Sequence, residues 1–390
     1  MKCKVPRARC KVRLIEAASR VVAFACAVLV LLLAPAGPLH SQAASQVGRN
    51  FEALPFAPRQ YVCYRAPAAP AIDGRLDEAA WRAAPWTAPF IDIEGDARPQ
   101  PRFRTRAKML WDPDYFYVAA DMEEPDLWGT LTTRDAIIYN DNDFELFIDP
   151  DGDTQMYYEL EVNPLGTVFD LLLPQTYRDG GPPIIAWDIS GLKLAVGLRG
   201  TPNKPGDRDE GWMVEMALPW RILREAAPGK RPPRPGEQWR VNFSRVEWRA
   251  EVKDGRYSRR LDAATGRPLP SDNWVWSAQG VVDIHMPERW GYVQFSGAEA
   301  GSAKETFVED PNDVVKWALR RLYYRQRRHR AANGRYADTL AALDAGDIKV
   351  PGLVFSPVMQ ATADLYQISA NAFNGATVHI RQDGKVWVVK

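Results

Sequence analysis

The sequence predicts a mostly β protein, an antiparallel β-sandwich of the immunoglobulin or jelly-roll kind followed by a small α+β C-terminal domain. Three observations predict this. Between residues 61 and 296, short alternating runs of apolar and polar residues follow one another, divided by turn signals. Long helical periodicity is nearly absent over the same stretch. After a Gly-, Ala- and Glu-rich linker at 297–308, the pattern switches to one long helix and a hairpin, so that 309–390 reads as a separate unit. The length of 390 residues accommodates about two domains of roughly 150 residues each.

The elements follow in chain order. Lys108–Trp111 and Tyr115–Asp121 flank Asp112-Pro113-Asp114 and form a hairpin. Asp143–Asp149 sets Phe144, Leu146 and Ile148 against Glu145, Phe147 and Asp149. Tyr157–Val162 follows a Pro-Asp-Gly-Asp turn, and Thr167–Leu172, Gly211–Leu218, Trp239–Trp248 and Gly291–Phe295 continue the series. Short helical pieces are expected at 77–83 and 220–226. In the C-terminal unit, Val314, Val315, Ala318, Leu319, Leu322 and Tyr323 have helical spacing from Asp313 to Ala332. Asn312 or Asp313 is placed to cap its start, and Asn333-Gly334 ends it. A second short helix is expected at 337–343. Strands at 365–370, 377–381 and 385–389 close the chain, the last two joined at Asp383-Gly384.

Residues 1–44 read as an export signal. Lys2, Lys4, Arg7, Arg9, Lys11 and Arg13 precede an apolar run at 21–34, which is short for a membrane span. Pro35, Gly37 and Pro38 break that run, and small residues near Ala43 and Ala44 suit cleavage. No second stretch is long enough to span a membrane, so the expected location is secreted or periplasmic. Residues 45–60 read as a loose leader. Removing the signal takes seven Lys/Arg and one Glu and leaves a net charge of −5, which argues against nucleic acid as a partner. Cys63 alone then remains, so no internal disulfide is expected.

Several segments, in order, resemble carbohydrate-binding module family 9 and the wider DOMON-like sandwich superfamily. They are Ile72-Asp73-Gly74-Arg75-Leu76-Asp77-Glu78 with Trp81, Trp111-Asp112 through Tyr117-Val118, Asn142 through Asp149, Glu161-Val162-Asn163, Gly211 through Glu215 with Pro219-Trp220, Trp239 through Phe243, Trp276-Ser277 and Trp290-Gly291. The resemblance implies a non-catalytic domain that binds a polysaccharide or oligosaccharide between two aromatic rings, with polar side chains on adjacent strands holding its hydroxyls. Carried over by position, Tyr139 stands where the family usually has Trp. Glu145 matches the strand carboxylate. Glu161 replaces an Arg, and Asn163 follows it. Ile284 occupies the place of the second ring, so Trp276 is the candidate for the second wall, with Trp274, Trp128 and Trp248 as substitutes. Asp149, Asp151 and Asp153 alternate around Gly152. They are candidate ligands for a structural Ca2+, although a plain hairpin turn explains the same residues.

No His-Glu-x-x-His, Gly-x-Ser-x-Gly, phosphate loop or paired-Cys motif is present, so no catalytic residues are assigned. Two other readings remain. One is an envelope accessory or scaffold protein that binds a protein partner. The other, implied by the DOMON-like resemblance, is a b-type haem subunit using Met156, Met213, Met216, His285 or Met286. Residues 314–343 resemble pilin-like helices. Their Arg320, Arg321, Arg325, Arg327, Arg328 and Arg330 offer a basic face for an anionic glycan or envelope protein, or for docking on the acidic main domain.

Overall fold

Alternation sets the two faces of a sheet, and the strands form where it occurs. The structure, a computed structural model, describes residues 50–390, so the predicted signal lies outside the described residues. In chain order the strands are β1 (Gln60–Arg65), β2 (Ile91–Asp92), β3 (Thr105–Trp111), β4 (Tyr115–Glu123), β5 (Phe144–Asp149), β6 (Tyr157–Val162), β7 (Val168–Leu173), β8 (Lys193–Arg199), β9 (Gly211–Pro219), β10 (Gln238–Glu247), β11 (Ala250–Lys253), β12 (Arg256–Arg259), β13 (Asp272–Val275) and β14 (Gly291–Glu299). Two short helices interrupt them, α1 (Ala79–Ala83) and α2 (Trp220–Leu223).

The main path of the large curled sheet runs β7-β6-β5-β10-β14-β1-β3-β4-β9-β8, with β13 pairing β10 and β2 pairing β13. The inner faces of the two arms enclose one core, with Phe144, Leu146 and Leu160 on one side and Met109, Val118 and Val214 on the other. Trp212, Trp220, Trp239 and Phe295 also fill it. This is the predicted sandwich. One strand departs from the antiparallel expectation: β1 runs parallel to both β14 and β3. The chain between β1 and β3 is a long crossover through α1, which is the kind of connection parallel pairing needs. No hairpin joins the first strand to β14.

The Asp73-Gly74 motif is a clasp on the outer face of β9. Glu215 accepts the backbone N–H groups of Asp73, Gly74 and Arg75 at 3.1, 2.7 and 3.1 Å, and the indole N–H of Trp81 at 2.6 Å. Trp81 is thereby set with Leu110, Tyr117 and Ala217 in a separate outer cluster. Gly74 has φ +85°, and a Cβ on it would meet the Val196–Gly197 backbone at 2.8 Å, so only glycine lets the turn lie against β8.

The C-terminal unit is α3 (Asp313–Asn333) over a four-stranded antiparallel sheet, β15 (Val358–Ala361), β16 (Tyr366–Asn371), β17 (Thr377–Arg381) and β18 (Val386–Val389). Gly334, at φ +72°, ends α3 as the Asn-Gly pair predicts, whereas Asn312 makes no side-chain cap and instead accepts the Phe373 N–H at 3.0 Å. At 337–343 only a 3-10 turn forms, Ala341–Leu343.

Residues 50–60 are not loose. Phe51 is buried beside Tyr324, Phe56 stacks on Trp317 at 3.8 Å, and Glu52 pairs with Arg321, Arg325 and Arg328. The arginines of α3 are thus largely engaged within the chain. Arg327 pairs with Asp179, and the buried Arg320 donates to the Gly384 carbonyl at 2.7 Å. The basic face is docked rather than presented. Among the described residues no helix is long and apolar enough to cross a membrane.

Candidate functional site

The outer face of the β5–β6–β7 arm carries the site residues. β5 and β6 pair so that Glu145 lies opposite Glu161 and Phe147 opposite Glu159. Residues two apart on a strand share a face, so Glu159 and Glu161 project together. Below them toward Trp290 the face turns apolar, with Phe147, Tyr157, Phe169 and Leu171. Asp143, just before β5, joins the acidic end.

Four carboxylates are therefore gathered on a nearly dry surface: Asp143 is 0% exposed, Glu145 5%, Glu159 5% and Glu161 1%. Burial pushes Glu145 up to about 7. Burial and the neighbouring Glu145 push Glu159 up to about 8. The same causes hold Asp143 and Glu161 well above the usual carboxylate range.

Tyr139 sits in a 3-10 turn, Ile138–Asn140, leading into β5. Its backbone N–H donates to Glu161 at 3.0 Å, and its carbonyl accepts the Trp248 indole N–H at 2.8 Å. Burial, then the charges of Glu161 and Glu145, raise the phenol of this half-buried residue. A second ring approaches from the turn after β7. Tyr177 is half-buried, its phenol raised by burial and then by Glu159, Glu161 and Tyr139, and its ring meets His285 edge-on at 4.5 Å. The Tyr139 turn thus hangs on Glu161 by its backbone, and Tyr177 reaches the same face through His285, whose ring packs on Phe147 opposite Glu159.

The other candidates take different places. Trp276 is 1% exposed and packed in the core against Phe243. A Cβ on Gly291 would lie 2.3 Å from its ring, so it offers no face to a ligand. Trp128 and Trp274 are buried too. Trp248 is half-buried and borders an open groove of about 230 Å³, with Phe103, Arg102, Asn142 and Arg260. Ile284 packs at the edge of the apolar patch, and its carbonyl accepts the Trp290 indole N–H at 2.7 Å.

Asn163 is wholly buried and already occupied. Its amide N–H groups go to the Leu131 carbonyl and Asp141, and its oxygen accepts the N–H of Leu165 and Thr167. It fastens the β6–β7 turn.

Asp149, Asp151 and Asp153 do converge. Asp149 accepts the N–H groups of Gly152 and Thr154, Asp151 that of Asp153, and Asp153 that of Gln155. Asp153 also pairs with Lys385 at 2.7 Å, so the turn is held by the chain's own donors and meets the C-terminal hairpin. The methionines considered for haem separate: Met216 lies in the sandwich core, Met286 in the C-terminal core, and Met156 is exposed.

Sequence reasoning missed Tyr177 and Glu159. The period-2 spacing of Glu159 and Glu161 was a usable signal. Tyr177 gave none, since only folding brings it near Tyr139.

Residues 72–180, which hold α1, the strands β2 to β7 and both tyrosines, match the family model described as carbohydrate family 9 binding domain-like. Exoglucanase XynX of Acetivibrio thermocellus is 26% identical over 154 residues, 40% of this chain and 12% of that protein. Endo-1,4-beta-xylanase C of Paenibacillus barcinonensis is 29% identical over 155 residues, again 40% of this chain and 12% of that protein. The chain thus matches only about an eighth of the length of these curated relatives. A family 9 carbohydrate-binding module from Caldicellulosiruptor kristjanssonii, solved with cellotriose, superposes with a TM-score of 0.40 at 15% identity, covering 64% of this chain and 99% of that one. Over residues 72–180, this chain is similar to the carbohydrate family 9 binding domain-like family.

Proposed function

We propose that this protein is an exported glycan-binding protein with no catalysis of its own, and that the half-buried rings of Tyr139 and Tyr177 contact the glycan on the face above the Glu159–Glu161 edge. The observation that carries this reading is the family-model match over residues 72–180, which include the half-buried Tyr139, whose turn hangs on Glu161, and the half-buried Tyr177. Ring faces pack on sugar C–H surfaces, and carboxylates accept hydroxyl hydrogens. The two curated relatives are by name an exoglucanase and a xylanase, and each shares only a small fraction of its length with this chain. A binding module appended to separate catalytic domains fits that pattern. Export rests on the basic and apolar pattern of residues 1–44.

The test is a glycan array on the exported form of the chain. Retention of a defined oligosaccharide, weakened by Tyr139→Ala and by Tyr177→Ala, supports the reading. A blank array from folded protein sinks it.

A further inference from the structure

Among the described residues, three groups of acidic side chains converge, and they differ in what neutralises them. Asp135, Asp170 and Asp188 surround Arg134, which pairs with all three. Asp149, Asp151 and Asp153 accept backbone N–H groups, and Asp153 takes Lys385. The third group is Asp143, Glu145 and Glu161. Among the described residues, no Lys, Arg or His pairs with any of them or with Glu159.

This third group is also the driest, with all three side chains buried. Asp143 Oδ1 accepts the Val246 N–H at 3.0 Å, but its Oδ2 is buried without a hydrogen-bond partner. Glu159 Oε2, on the same face of β6, is buried and unpartnered as well. An unpaired buried carboxylate costs several kcal/mol, and adjacent ones repel each other. Four such groups in one place must be neutralised, by protons they take up or by a cation that displaces those protons.

The spacing fits an ion. One oxygen from each of Asp143, Glu145 and Glu161 lies within 4.8 Å of the others. Oxygens around a calcium-sized ion, each about 2.3–2.6 Å from it, stand no more than about 5 Å apart. The hard oxygen donors and the absence of sulfur or imidazole select the same class of ion. We propose that Asp143, Glu145 and Glu161 hold one divalent cation of the calcium class beneath the Tyr139 turn, with Glu159 adding charge at its edge. The ion supplies the positive charge that no side chain provides. It also ties the start of β5 to β6, so that the Tyr139 turn, which hangs on Glu161, is set by metal occupancy. This inference stands whether or not the site takes a glycan.

The experiment uses the full chain, stripped with chelator and titrated with calcium by calorimetry, with thermal unfolding followed in parallel. The expected result is one ion per chain and a melting temperature raised by roughly 5 °C or more at saturation. Asp143→Asn combined with Glu161→Gln keeps the shapes and removes two charges. It should melt at or above the stripped wild type, because the repulsion is gone, and should bind calcium at least about tenfold more weakly. Glu145→Gln, a single change, is read the same way and serves if the double variant does not fold. Asp151→Asn should leave the titration unchanged. No calcium heat and no shift in the wild type would overturn the proposal. So would undiminished binding in the double variant or in Glu145→Gln, or loss of binding in Asp151→Asn. None of these readouts involves a glycan, so failure here is distinct from a blank array.

Discussion

Tyr323, on the C-terminal helix, donates its phenol hydrogen to Asp179 at 2.6 Å, two residues from Tyr177. Arg327 reaches the same carboxylate at 2.7 Å, and Thr176 donates to its other oxygen at 2.7 Å. The C-terminal unit therefore braces the turn that carries one of the two rings. A hydrogen bond to a charged group contributes about 1.5–3 kcal/mol. Asp179→Asn should lower unfolding stability by about 2 kcal/mol and weaken glycan binding several-fold, with the larger effect on affinity when Tyr323→Phe is added. Calorimetric affinity and urea denaturation measured together check this. Unchanged affinity alongside lost stability would mean that the brace does not reach the site.

The rings themselves should separate from the fold. Tyr139 and Tyr177 are both half-buried and stand outside the main core. Replacing either by Ala should reduce glycan affinity roughly three- to tenfold, since an aromatic contact adds about 0.5–1.5 kcal/mol beyond area. Replacing either by Phe should cost much less. A Phe variant as weak as the Ala variant would show that the hydroxyl, rather than the ring face, makes the contact.

What the sequence discloses and what it hides have physical reasons. The sandwich was legible because one face of each strand is apolar, so Phe144, Leu146 and Ile148 announce the core without knowledge of their neighbours. The site was only half legible. Glu145 and Glu161 stand opposite each other on paired strands, as their motif positions suggest. Tyr177 reaches this face only through the hairpin return of β7 and the brace from α3. Asn163 is a candidate contact by its position in the resemblance, and Trp276 as an aromatic stand-in for the absent second ring. Whether an amide is free depends on who already bonds it, and Asn163 has used both its donors and its acceptor. The arginines of α3 looked like a binding face because one of their main partners, Glu52, sits in a stretch without secondary-structure periodicity.

The clasp around Glu215 predicts the largest single-residue effect on stability. One carboxylate serves three backbone donors and the Trp81 indole. Glu215→Ala leaves these donors without their acceptor in a closed space and should cost at least about 3 kcal/mol. Trp81→Phe removes one donor while keeping most of the packing, and should cost distinctly less. Chemical denaturation ranks the two, and an equal loss would place the energy in ring packing rather than in the clasp.

The pair Arg178–Glu288 predicts a pH signature. Both side chains are almost wholly buried and lie 2.8 Å apart, with Tyr324 donating to the same carboxyl. Burial alone would raise Glu288, but Arg178, Arg320 and the hydrogen bonds outweigh it and hold the carboxyl at about 2, below its ordinary value of 4.5. A carboxyl depressed in the folded state stabilises fully above its unfolded pKa, and the contribution fades as pH falls through the folded value. Glu288→Gln leaves the buried Arg178 with only the more distant Asp179, 3.6 Å away, as counter-charge, and should cost about 3 kcal/mol at pH 7. The gap between wild type and variant should stay constant from pH 7 to about 5, then narrow between 4.5 and 2, because only the wild type loses an ionised partner there. Urea denaturation at pH 7, 5, 4 and 3 measures it. A gap that does not narrow in acid would mean that the carboxyl contributes through its shape and hydrogen bonds, and not through its charge.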